Sequence, residues 1–492
     1  MPNSTSFIPS ATEYIRILPE ILLTLFAVAI MMIEAMRDES RQDSHSIVPA
    51  VSLLGLIAAL GATFMAHAQP GAAFQQMIIV DGFATFFRAI AIVVAILAIL
   101  CSGQYLRRER SYGGEYYALI LFSVAGQSIM AASNELIMMF IGLEISSIAT
   151  YILAGYLRDD KRNNESALKY FLLGSFATAF LLYGIAWIYG VTGSTNLVEI
   201  RRVISAGNFA SMSLVGISAA LMFVGFAFKI SAAPFQVWAP DVYQGAPAPV
   251  AAFMSAGPKA AAFAIFIRVY MTAFEPIASR WEPIVWITAL LTMTIGNFAA
   301  LSQTNIKRLL AYSSIAHAGY VLVAVAAHNQ VGVQAAMFYL AAYAFMNIGA
   351  FAVVTHFARQ GERFLEIDQM GGLAYRQPAT AAMLVIFLLS MIGVPLTAGF
   401  FGKFYVFKAA LDANLVWLSV LGLLNSAVAA YYYLRIIVVM YMHEPSAEMD
   451  GLQPLSAGLK TALVASAVAT IVLGVFPSLV LEFAGSSATL VK

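Results

Sequence analysis

Long apolar runs broken by short polar stretches occupy almost the whole chain. A helix needs about 20 mainly apolar residues to cross the hydrocarbon core of a bilayer. By that measure the pattern predicts fourteen spans: 15–36, 47–67, 78–103, 116–132, 135–157, 166–190, 212–244, 247–274, 283–303, 306–327, 331–357, 378–410, 414–441 and 459–483. Spans seven and twelve are too long for one straight helix, and each carries an internal proline, Pro234 and Pro395, flanked by small residues. Proline removes a backbone donor and clashes with the preceding turn. Both spans are therefore expected to be discontinuous at membrane depth, where protein or a wet cavity must satisfy the freed backbone groups. Two longer connections, 191–211 and 357–377, mix charge with apolar residues such as Leu197, Ile200, Ile204, Leu365 and Ile367. A short helix lying on the surface and a plain solvated loop both suit them.

The polar positions orient the spans. Connections after odd-numbered spans hold Arg37, Arg41, Arg107, Arg108, Arg110, Arg158, Lys161, Arg162, Lys307, Arg308, Arg359, Arg363 and Arg376, whereas those after even-numbered spans hold little beyond Arg201, Arg202 and Arg280. The positive-inside rule places the odd connections in the cytoplasm and both termini on the periplasmic face. The first run, 15–36, is long enough to stay as a span, so no cleavable signal peptide is expected.

Composition agrees with this class. Of the 492 residues 61% are hydrophobic and 11% charged, and the mean hydropathy is +0.81. A soluble domain carries about 25% charged residues, so this is an all-α polytopic membrane protein. The net charge of +1 gives no reason to expect a nucleic-acid partner. A single cysteine, Cys101, excludes an internal disulfide, a CxxC pair and a cysteine-ligated iron–sulfur cluster. No Walker loop, dinucleotide fingerprint or histidine pair at haem or zinc spacing occurs, so no cofactor or metal is expected in this chain.

A weak internal repeat is visible. The broken spans are five apart, and spans six and eleven begin alike, Ala167-Leu168-Lys169-Tyr170-Phe171 against Ala336-Met337-Phe338-Tyr339-Leu340. Units of five spans, four to eight and nine to thirteen, have opposite orientations because five is odd. Paired discontinuous helices in inverted repeats are a transporter architecture with its site at mid-membrane.

Charges inside the apolar runs carry the chemistry. Glu144 lies nine residues into span five, ~13 Å deep at the rise of an α-helix. Lys229 precedes the first break, Lys259 sits well inside span eight, His317 is central in span ten, and Lys403 follows the second break. Buried ionisable groups in a membrane are costly and by default mark ion or proton paths. The structural alternative, a buried pair pinning helices or lysines snorkelling to the surface, suits one such residue better than five on five helices. Lysine and histidine can both hand on a proton. Tyr312, Ser313, Ser314 and Thr397 lie at similar depth and suit bridging water, although such residues more often serve helix packing. Glu34 and Lys169 lie near span ends, where interfacial placement competes with a relay role. Asp81, Arg88, Glu135 and Asp241 read as solvated, and Lys408 and Arg435 as snorkelling side chains.

Lys229-Ile230-Ser231-Ala232-Ala233-Pro234-Phe235, continuing through Trp238-Ala239-Pro240-Asp241 to Val242-Tyr243-Gln244-Gly245-Ala246-Pro247, resembles the hallmark of the antiporter-like membrane subunits of respiratory complex I. Gly142-Leu143-Glu144, Ala167-Leu168-Lys169-Tyr170, the run from Lys307-Arg308-Leu309 to Ala316-His317, and Gly399-Phe400-Phe401-Gly402-Lys403 fit the same family. The Val-Tyr-Gln-Gly-Ala-Pro form resembles the N-type branch of bacterial NADH:quinone oxidoreductase rather than its L and M branches. The resemblance implies fourteen spans with two inverted five-helix units and discontinuous helices seven and twelve. It divides the chain into an N-terminal three-helix segment (1–115), a first repeat (116–274), a second repeat (283–441) and a C-terminal helix (442–492). It further implies a proton relay in which Glu144 pairs with Lys229, Lys259 and His317 connect the two halves, and Lys403 stands at the exit, with Lys169 as an added member. Gln236 stands where some relatives carry histidine, so no titrating role is expected there. The chain also stops soon after span fourteen, without the lateral helix of the L-type subunit.

The implied function is proton translocation driven by quinone reduction in other subunits. NADH, FMN, iron–sulfur clusters and quinone would belong to those partners. Expected neighbours are other antiporter-like and small membrane subunits and membrane lipids, in a bacterial inner membrane. Two other readings remain at this stage: a subunit of a multisubunit cation/proton antiporter, and a scaffold subunit that pumps nothing.

Overall fold

The computed structural model describes residues 9–36, 47–207, 211–445 and 453–488. Arg37 and Arg41, two of the cations used for orientation, lie outside these described residues. Among the described residues twelve helices are long and apolar enough to cross a membrane. They form spans one to three (Leu18–Ala35, Ile47–His67, Gly82–Arg108), five (Leu136–Ala154), six (Lys161–Thr192) and the first part of seven (Met212–Ile230). The others are spans eight (Ala248–Thr272), nine (Ala278–Leu301), ten (Ile306–Ala326), eleven (Gln330–Phe357), thirteen (Val416–Met442) and fourteen (Ala457–Val475). Span four (Gly114–Ala132) and the two pieces of span twelve complete the predicted set.

Both long spans are broken where proline was read. Span seven runs Met212–Ile230, then Trp238–Gly245, and span twelve runs Pro378–Ile392, then Ala398–Asp412. Span fourteen differs from the sequence reading. It ends at Val475, and a separate helix, Ser478–Ser487, follows Pro477, which has no N–H with which to continue the first.

Several spans start at a polar cap that occupies their free N–H groups. Asp81 accepts from Ala84, Glu135 from Ile137 and Met138, and Asn305 from Lys307 and Arg308. Glu135 is thus a cap and is buried rather than solvated. The connection after span six contains the amphipathic helix Leu197–Ala206, with Leu197, Ile200 and Ile204 turned inward. The one after span eleven has short turns of 3-10 helix and one helical turn, Leu373–Arg376.

Packing repeats between the two halves. Span four lies on span five as nine lies on ten, and six lies on seven as eleven lies on twelve. Spans eight, ten and eleven are the inner helices: 94% of the apolar window is buried in each, against 28% in span one. Span three packs on spans eight and eleven and buries Cys101. Outside the bundle, a two-stranded hairpin, Gly71–Ala73 with Ile78–Val80, joins spans two and three.

Candidate functional site: a mid-membrane file of lysine, histidine and hydroxyl groups

Each helix break leaves carbonyls at the end of a half-helix without intrahelical donors, and these form the negative end of that helix's dipole. A cation is stabilised there. In span seven the first half ends at Ser231 in the left-handed region, φ +61°. The Trp238 ring N–H donates to the Phe228 carbonyl at 3.0 Å, and the Ala233 N–H donates to Thr292 Oγ1 of span nine at 2.9 Å. The break is therefore satisfied by protein.

Lys229 occupies the last turn of that first half. Its Nζ donates to Ser147 Oγ at 2.6 Å and to Tyr151 Oη at 3.2 Å, and it lies over the rings of Tyr151 and Tyr170. Ser147 and Tyr151 follow Glu144 by three and seven residues, so all three share one face of span five. The expected direct pair of Glu144 with Lys229 is not formed. Two hydroxyls one and two turns along the helix take the ammonium instead, and Glu144 Oε1 is buried without a hydrogen-bond partner.

Span twelve treats its lysine differently. Its first half ends at Ile392, the chain turns through Gly393 and Leu396 with φ of +95° and +71°, and the second half brings Lys403 back over the break. Lys403 Nζ donates to the carbonyls of Met391 and Ile392 at 2.9 and 2.8 Å and to Ser426 Oγ of span thirteen at 2.7 Å. The ring of Tyr320 lies 4.7 Å away. The close approach of the two halves depends on Gly399, where a Cβ would collide with the Ser390 carbonyl. Gly399→Ala is expected to push the second half outward, costing about 1–3 kcal/mol by overpacking. The temperature of thermal inactivation in the membranes and the rate of proton pumping should both be lower.

Lys259, His317 and their partners lie between the breaks. Lys259 is 3% exposed and donates to the Ser314 carbonyl at 3.1 Å and to the Ser314 hydroxyl. One turn further along span ten, His317 Nδ1 shares a hydrogen bond with Tyr339 at 2.7 Å and Nε2 one with Tyr433 at 3.2 Å. The Tyr433 hydroxyl also meets Ser313. Among the described residues no carboxylate lies within ion-pair reach of Lys259 or Lys403, so either can lose its proton without stranding an opposite charge.

Lys169 stands apart from this file. It is half exposed, pairs with Glu165 at 2.7 Å and Asp241 at 2.9 Å, and lines a charged cleft of about 290 Å³. Asp241 also accepts from Arg308 at 2.7 Å, so it serves as the centre of an ion-pair cluster.

Some buried charges escaped the sequence reading. Arg88, read as solvated, is 0% exposed and pairs with Glu20 of span one at 2.6 Å. Asp81 accepts both Nη atoms of Arg268, at 2.9 and 3.0 Å. Lys307, counted among the loop cations, is buried against Glu362 at 2.5 Å. Nothing in the hydrophobic pattern at a span end separates a charge facing water from one facing a neighbouring helix. Tyr339 did leave a signal, because it matches Tyr170 in the repeated segment. Each of these tyrosines lies against a broken span, Tyr170 on Trp238 and Tyr339 on Gly402.

Comparison with known proteins agrees with this architecture. The family described as "NADH:quinone oxidoreductase/Mrp antiporter, TM" matches residues 133–429. NADH-quinone oxidoreductase subunit N 1 of Solibacter usitatus is 61% identical over 492 residues, covering 100% of both chains. Subunit N of Trichlorobacter lovleyi is 44% identical, covering 96% of this chain and 97% of that one. A chain of respiratory complex I from Thermus thermophilus superposes with a TM-score of 0.80 at 34% identity, covering 94% of this chain and 98% of that one. A chain of the Mrp complex from Dietzia shares the fold, with a TM-score of 0.84 at 20% identity. The chain belongs to the NADH:quinone oxidoreductase/Mrp antiporter family of membrane proteins, on its NADH-quinone oxidoreductase subunit N branch.

Proposed function

We propose that this chain moves protons across the bacterial inner membrane as the N-type subunit of an NADH:quinone oxidoreductase. Lys229, Lys259, His317 and Lys403 are its relay, and Glu144 sets the charge near Lys229. The observation that carries this reading is the row of bases from Lys259 to Lys403: Lys259 is held by Ser314, His317 by Tyr339 and by Tyr433, which also meets Ser313, and Lys403 lies over the ring of Tyr320, with no carboxylate among the described residues within ion-pair reach of either lysine. Half-helix ends that cradle a cation at mid-membrane suit ion movement. Lys169 belongs with Asp241 and Arg308 to the cleft on the face rich in Lys and Arg, which this reading places toward the cytoplasm with both termini periplasmic. The energy comes from quinone reduction in partner subunits that hold FMN and the iron–sulfur clusters, and this chain binds none of them.

The test is purification in mild detergent followed by reconstitution. A large NADH-oxidising complex that pumps protons is expected. In it Glu144→Gln should slow pumping, with Glu144→Asp milder because the charge is kept. Recovery only with cation/proton antiporter subunits, or full pumping by Glu144→Gln at normal assembly, would count against this assignment.

A further inference from the structure

A lysine ammonium has three protons to donate. On Lys403 all three are placed: on the Met391 and Ile392 carbonyls at 2.9 and 2.8 Å, and on Ser426 Oγ at 2.7 Å. The ring of Tyr320 closes the remaining side at 4.7 Å. The stem of the side chain lies against Gly393, where an added Cβ would meet Cδ at 3.1 Å. These three acceptors differ in what they can do. A backbone carbonyl has no proton of its own to pass on, so a proton held there goes no further. A hydroxyl accepts on its oxygen and can release the hydrogen it already carries. Ser426 is the one hydroxyl bonded to Lys403 among the described residues.

Ser426 also differs from the serines that hold the other lysines. Ser147 beside Lys229 and Ser314 beside Lys259 are buried, whereas Ser426 is half-buried at the edge of the bundle. Its own hydrogen points to the Ile392 carbonyl at 3.4 Å, longer than an ordinary hydroxyl bond, and is weakly held. That carbonyl ends the first half of span twelve, and the turn after it leaves Pro395 and Leu396 exposed. Irregular backbone in a membrane lies against protein or water, not lipid. The turn meets Gly474, the last residue but one of span fourteen, and so lies toward the end of the bundle where that span finishes.

We propose that Ser426 is the outlet of the relay: Lys403 gives up its proton through the Ser426 hydroxyl to water at the turn between the halves of span twelve. This rests on the relay reading above. In the step, one N–H of the ammonium breaks as a new O–H forms on Ser426 Oγ. The original Ser426 O–H breaks as a water molecule takes that proton. Two bonds break and two form, the serine ends as it began, and the positive charge has passed from lysine to water. The neutral amine keeps two N–H bonds on the two carbonyls, which leaves its lone pair facing Ser426. The carbonyls thus decide which proton leaves.

The test uses the intact complex in native membranes with Ser426→Ala and Ser426→Thr, and Lys403→Met as control. Alanine takes less room than serine, so complex content should be normal. Pumping in Ser426→Ala should fall about 10²-fold, the low end of the effect of losing an acid–base group, at every pH and with an altered solvent isotope effect. Ser426→Thr, which keeps the hydroxyl, should recover most of that loss. Normal pumping in Ser426→Ala while Lys403→Met is blocked would overturn the outlet alone. So would a loss that follows complex content, or Ser426→Thr no better than Ser426→Ala at equal content. A pH profile that shifts while its maximum rate is kept would assign Ser426 to holding the charge, and would overturn the outlet as well. Normal pumping in Lys403→Met would overturn the relay at this lysine, and the outlet with it.

Discussion

Lys259→Met is expected to abolish proton pumping while the complex still assembles in normal amounts. Lys259 is 3% exposed, and its ammonium is held by one serine and one backbone carbonyl with no counter-charge. Methionine has similar length and is apolar, so it fills much of the same space. It also removes a charge whose placement at the centre of a spanning helix costs about 2.5–3.5 kcal/mol. The Ser314 carbonyl keeps its own helical bond. Stability is therefore kept or improved while the buried lysine between the first break and His317 is lost. Quinone reductase rate, pumping and complex content measured in the same membranes decide the matter. Loss of complex in parallel with loss of pumping would assign Lys259 to structure.

Glu362→Leu should do the opposite and deplete the assembled complex. The Glu362 carboxylate accepts from Lys307 at 2.5 Å, from the Tyr105 hydroxyl at 2.8 Å and from the Ala248 N–H at 2.7 Å. It thereby ties spans three, eight and ten to the turn after span eleven. Lys307 is 0% exposed and also donates to the Ala246 carbonyl at 2.5 Å. Removing the carboxylate strands that buried ammonium, which costs about 3–5 kcal/mol. Replacing both partners removes both charges, so Lys307→Met combined with Glu362→Leu should recover part of the loss. Complex content and the temperature of inactivation measure this. Unchanged values in Glu362→Leu would show that the pair carries no structural burden.

Opposite outcomes are thus expected from removing the charge of Lys259 and from removing the carboxylate partner of Lys307. Lys259 interrupts an apolar run, and a run of that length has no way to hide a charge from the membrane. That made Lys229, His317 and Lys403 legible for the same reason, and the two prolines made the broken spans legible. Lys307, Arg88 and Arg268 sit where runs end, where the pattern permits solvent and burial alike. Their burial depends on Glu362, Glu20 and Asp81, which lie 55, 68 and 187 residues away in the sequence. The hydroxyl partners were less legible still. Tyr151, Tyr433 and Ser147 read as ordinary helix residues until tertiary packing aims them at a base. Glu144 marks the limit in the other direction: its place on span five was read correctly, but not the hydroxyls that take Lys229 from it.

The burial of Cys101 has a practical consequence for experiment. A thiol enclosed in span three is shut off from aqueous reagents, and buried cysteines of this kind are inert. The chain is therefore already suited to single-site labelling, with no need for a cysteine-free background. A cysteine introduced at a chosen connection would be the one thiol of this subunit open to a membrane-impermeant maleimide. Its reaction in right-side-out against inside-out vesicles would map, position by position, which face of the membrane each connection occupies. A pair of such labels across either helix break would let spectroscopy follow the half-helices during turnover.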